Sequence, residues 1–79
     1  MSRNESTQIT IGNDWTQITD GSADEVIQFY AVVDICRSPT KPADGSPSLR
    51  YEATTLTITA PDTAWIRAVY VDSAIVNIW

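Results

Sequence analysis

A chain of 79 residues and 8.7 kDa has room for one small domain; ordering it costs about what its apolar burial supplies, so the isolated monomer is expected to be marginal and to gain from partners. The single cysteine, Cys36, excludes an intrachain disulfide, and the lack of histidine removes the common zinc sites and the usual base of a serine or cysteine triad. Ten acidic residues against five basic ones give a net charge of −5, the opposite of what phosphate or anionic lipid attracts, so neither nucleic acid nor a membrane is expected as a partner.

Nine Ile, six Val and ten Thr set the secondary structure: β-branched side chains favour strands, and the chain reads as all-β. Residues 1–7 form a polar arm without the apolar core of a signal peptide, which points to a reducing cytosol. Gln8 to Ile11 alternates, with Ile9 and Ile11 on one face. Gly12-Asn13-Asp14 then turns, Trp15 to Thr19 alternates again, and Asp20 to Asp24 forms a second turn. Glu25 to Cys36 reads as the longest strand. Ile27, Phe29, Ala31, Val33 and Ile35 make its apolar face; Val26, Gln28, Tyr30, Val32 and Asp34 make a mixed face suited to a subunit contact.

Residues 37–48 hold three prolines and a glycine and form a long surface loop. Leu49 to Tyr51 is a short strand. Thr54 to Ala60 sets Leu56 and Ile58 against Thr55, Thr57 and Thr59, a row that is either solvated or an edge that pairs with another chain. After a turn at Ala60 to Thr63, Trp65 to Val71 and Ala74 to Trp79 read as a final hairpin around Asp72-Ser73. The expectation is one domain over residues 8–79, an antiparallel β-sandwich or barrel of six to seven short strands, with Trp79 docked on something apolar.

Little of this serves catalysis. Asp14, Asp20, Asp24, Asp44, Asp62 and Asp72 sit in turns, where aspartate caps its own backbone. A carboxylate pair of the glycosidase kind is the weaker reading. Asp20 to Glu25 gathers three carboxylates but lacks the alternating ligand spacing of a calcium loop. Gly12, Gly21 and Gly45 stand alone, without a phosphate-cradling loop. No enzyme, cofactor or metal is expected. Trp15, Tyr30, Tyr51, Trp65, Tyr70 and Trp79 are read as core and subunit-contact anchors in preference to a sugar-stacking platform.

Two patterns carry a resemblance. Trp15-Thr16-Gln17-Ile18-Thr19-Asp20-Gly21-Ser22-Ala23-Asp24 leads into Val26-Ile27-Gln28; Leu56-Thr57-Ile58 is followed by Trp65-Ile66-Arg67-Ala68 and Ser73-Ala74. Together they resemble short all-β proteins encoded among the virion genes of tailed bacteriophages. The resemblance implies a non-catalytic structural protein, made in the host cytoplasm and placed in the virion. It would decorate the capsid or belong to the tail or fibre, self-associating as a trimer or similar homo-oligomer and binding other virion proteins such as the major capsid protein. The alternative is a receptor- or carbohydrate-binding module of the tail or fibre. The candidate contact residues are the arm Ser2 to Thr7, the loop residues Pro39, Pro42 and Pro47, and Trp15, Trp65, Arg67 and Trp79. For Arg67, an ion pair with one of the many aspartates is the plain alternative.

Overall fold

Residues 5–79 are described by a computed structural model. Alternation of β-branched and polar residues produces eight strands: β1 (Thr7–Ile11), β2 (Thr16–Gln17), β3 (Glu25–Phe29), β4 (Val33–Arg37), β5 (Leu49–Tyr51), β6 (Thr54–Ile58), β7 (Ala64–Ala68) and β8 (Ala74–Ile78). They build two four-stranded antiparallel sheets, sheet A in the order β1-β8-β3-β6 and sheet B in the order β2-β7-β4-β5. Among the described residues there is no helix long and apolar enough to cross a membrane.

The pairings have a simple origin. β1 pairs with β8, β2 with β7, β3 with β6 and β4 with β5. The chain is thus a folded-back ribbon with the β4–β5 hairpin at its tip. Rolling that ribbon up adds the closing pairs β3–β8 and β4–β7. This is the eight-stranded jelly-roll arrangement, whose two sheets bury one face each against the other. Ile11, Ile27, Phe29, Val76 and Ile78 of sheet A meet Val33, Ile35, Ala64, Ile66 and Ala68 of sheet B in that core. The folded surface, 4843 Å², is close to the roughly 4,700 Å² that surface scaling gives a monomer of this mass. The chain therefore buries about as much surface as its size allows and no more.

Three expectations are corrected. The long strand over residues 25–36 is two strands: β3 lies in sheet A and β4 in sheet B, with the corner at residues 30–32 carrying the chain across. The final hairpin is absent, because β7 and β8 lie in opposite sheets and Tyr70, with φ 69°, turns the chain between them. Strands number eight among the described residues, not six or seven, since that split adds one. Of the expected arm, Thr7 already belongs to β1 and residues 1–4 lie outside the described residues.

Candidate functional site

The outer faces of the two sheets differ, and the difference locates the site. On sheet B, the side chains turned away from the core are Trp65 and Arg67 of β7, Asp34 and Cys36 of β4, and Arg50 of β5. Trp15 stands one position before β2, opposite Arg67 by the same register. The proline-bearing loop lies over this face. Trp15 Nε1 donates to the Ala43 carbonyl at 3.1 Å and Trp65 Nε1 to the Ser38 carbonyl at 2.9 Å. Trp15 is 3% exposed, and Pro42 and Cys36 are buried beside the covered strands. Trp15 and Cys36 are buried without belonging to the inter-sheet core, so the loop creates a second, smaller apolar layer.

Charge sits on the same side. Asp34, 3% exposed, accepts from Arg50 Nε at 2.9 Å and Nη2 at 3.2 Å. Arg67 Nη2 lies 3.6 Å from its other flank. The Arg50 hydrogen bonds hold the Asp34 carboxyl below the usual aspartate range, and Asp34 in turn raises Arg50. Lys41 pairs with Asp14 at 2.7 Å, lowering that carboxyl, and Arg37 pairs with Asp62 at 3.2 Å. Each of the four described cations is therefore engaged with a carboxylate.

Among the described residues, the outer face of sheet A has neither a covering loop nor a charged side chain. Its strands present Gln8 and Thr10, Ile75 and Asn77, Val26 and Gln28, and Thr55 and Thr57 in neighbouring register. None of these eight positions is ionisable in a chain carrying −5 overall. Side-chain hydrogen bonds cross all four strands: Gln8 Nε2 donates to Asn77 Oδ1 at 2.9 Å, Asn77 Nδ2 to Tyr30 Oη at 3.1 Å, Tyr30 Oη to Gln28 Oε1 at 2.8 Å, and Gln28 Nε2 to Thr55 Oγ1 at 3.2 Å. Tyr30, in the middle of this row, is 60% exposed, and Trp79, outside the row on the same face, is 79% exposed. A groove of about 390 Å³ runs between Trp79, Val26, Asn77 and Thr55.

Sheet A also ends in two open edges. The Trp79 amide donates to the Val26 carbonyl at 2.8 Å, so Val26 and, two residues on, Gln28 direct their backbone groups toward β8. Their partners across β6, Thr57 and Thr55, therefore direct theirs outward. The same alternation turns the backbone of Gln8 and Thr10 outward from β1. Next to β6, a cleft of about 530 Å³ opens between the sheets, lined by Leu49, Tyr51, Leu56 and Pro47.

The sequence-predicted contact residues scatter over these surfaces. Trp15, Trp65, Arg67 and Pro42 belong to the covered face of sheet B, and Pro39 and Pro47 are exposed in the loop. Trp79 stands on the uncharged face, where Ser6 of the expected arm lines the same groove; arm residues 2–4 lie outside the described residues, and Trp79 is not docked on an apolar surface as its size suggests. The Tyr-bearing amide row, half-buried at Asn77, is anticipated only in Gln28 and Tyr30 on the mixed face of the 25–36 strand, because glutamine and asparagine carry no periodic signal. The expected turn roles are seen for Asp20, which accepts from the Ser22 hydroxyl and amide, and for Asp14, which accepts from the Trp15 amide; Asp24 accepts instead from the distant Ala60 amide. Among the described residues, no three His, Cys, Asp or Glu side chains converge to hold a metal. Compared with protein-family models, curated proteins and solved structures, the chain matches none.

Proposed function

We propose that this jelly roll is a non-catalytic structural protein of a tailed-phage particle, one that self-associates by strand addition at the edges of sheet A and decorates the particle as a small homo-oligomer. The observation that carries the self-association is the state of those edges. β1 and β6 are each five residues long and contain no charge, no proline and no glycine. Soluble proteins normally blunt such edges with those devices, because free N–H and C=O groups recruit another strand. The edges of sheet B are blunted, β2 by its two-residue length and β5 by its three-residue length and Arg50.

Adding β1 of one copy to β6 of the next is a heterologous contact, which closes into a ring such as a trimer if the rotation allows it. Exposed Leu49 beside β6 supplies apolar area to the same contact. The assignment to a virion rests on the resemblance carried by the sequence patterns around Trp15 and Trp65. Co-sedimentation of the purified chain with particles lacking it tests this placement. Saturable binding at sites of fixed stoichiometry is expected; recovery in the supernatant at every concentration refutes it.

A further inference from the structure

We infer that the outer face of sheet A is a binding platform for a neutral oligosaccharide. This goes beyond self-association, which uses the edges of the sheet and leaves its face open. The face offers the two kinds of contact that a sugar uses: flat aromatic rings for its C–H faces and planar amides for its hydroxyls.

The amides are poised for a second set of partners. A carboxamide has two N–H donors and two acceptor lone pairs. In the row across the sheet, Gln28 and Asn77 each donate once and accept once. Each thus keeps one N–H and one lone pair facing water, the complement of a hydroxyl, which both donates and accepts. Because the ladder already fixes their orientation, little side-chain freedom is left to lose on binding.

Two aromatics share the face with the amides. Trp79 lies opposite Val26 at one end of β3, and the Tyr30 side chain reaches back over the sheet, its hydroxyl bonded to both Gln28 and Asn77. The groove beside Trp79 provides depth at that end.

The chemistry of the face selects neutral sugar over other occupants. Among the described residues, a phosphate, sulfate or uronic acid would meet no cation there, since all four described cations are paired with carboxylates away from this face. A second protein chain covering the face would bury the unused amide capacity at its centre, where protein interfaces are apolar and unmet polar groups are costly.

The test titrates the full-length protein with short neutral gluco-, manno- and galacto-oligosaccharides, and with sulfated and uronic acid counterparts. Tryptophan emission and calorimetry are followed together, Trp79 being the exposed fluorophore while Trp15 is buried. At least one neutral series is expected to bind saturably with a blue shift. Trp79→Ala and Gln28→Ala should each weaken binding about tenfold, with Trp79→Phe restoring most of it. Both residues lie outside the core, so unchanged melting temperatures confirm that these variants fold. Binding should persist in a variant with a blocked β6 edge, which separates this inference from the self-association proposal. The platform is overturned if no neutral sugar binds, if charged sugars bind better, if neither alanine variant weakens binding, or if Trp79→Ala changes only the assembly mass.

Discussion

The guanidinium of Arg67 lies 4.3 Å from the centre of the Trp15 ring, and its Nη2 reaches Asp34 at 3.6 Å. One side chain thus ties the loop-covered tryptophan to the buried carboxylate, and it does so on the face of sheet B that the proline loop seals. Arg67→Ala is expected to destabilise the fold by about 2 kcal/mol, through lost stacking on Trp15 and the loss of one of the two cations beside the buried Asp34, which keeps Arg50. Arg67→Lys keeps the charge but not the planar stack, and should cost about 1 kcal/mol. Urea unfolding followed by tryptophan emission measures both.

Trp15 and Trp79 make opposite predictions. Trp15 is sealed under the loop, so Trp15→Ala leaves a cavity and should cost about 3–5 kcal/mol. Trp79 is exposed, and Trp79→Ala should change stability by no more than about 0.5 kcal/mol. Equal losses in thermal denaturation would contradict the assignment of the two rings to covered and uncovered faces.

Acid should weaken the fold through a small set of aspartates. Asp34 is lowered chiefly by its Arg50 hydrogen bonds, Asp14 chiefly by Lys41, and Asp20 is lowered from 3.8 to about 2 by the Ser22 hydroxyl and amide. A carboxyl with a depressed folded value stabilises above its unfolded value, and that contribution is lost as pH falls through the folded one. Melting temperature should therefore fall most steeply between about pH 4 and pH 2. Asp34→Asn should flatten that slope while lowering stability at neutral pH by about 2 kcal/mol. A slope unchanged in the variant would exclude Asp34 as a source.

Gly21 sits at φ +81°, and a Cβ there would lie 2.5 Å from the Pro61 carbonyl oxygen. Backbone cannot yield as a flexible side chain does, so Gly21→Ala should cost about 2 kcal/mol or more, against almost nothing for Gly45→Ala, which meets open space. Parallel melts of the two variants measure the contrast.

Period-two alternation identified β1 and β6 within two residues at either end, because each has one face toward the core and one toward water. It merged β3 and β4 because Tyr30-Ala31-Val32 has no glycine or proline, and an apolar corner looks like a strand in sequence. It paired β7 with β8 because they are consecutive, whereas in the rolled ribbon each finds its partner near the opposite end of the chain. The tryptophans were legible as large apolar area but not as to side: Trp15 is buried by a loop that folds back from residues 38–47, a contact that no local pattern encodes. The amide row depends on Gln8, Gln28, Thr55 and Asn77, which lie far apart in sequence and meet only through the register of four strands.

Thr57 provides the most direct test of self-association. Its N–H points away from β3, so Thr57→Pro removes a free-edge donor without breaking the existing ladder; Thr57→Lys, a milder charged edge, guards against misfolding. Light scattering across a dilution series should show the unmodified chain at a multiple of 8.7 kDa and both variants at the monomer mass, with their melting still cooperative. An unmodified chain that stays monomeric at every concentration, or variants that associate as it does, would contradict strand addition at this edge.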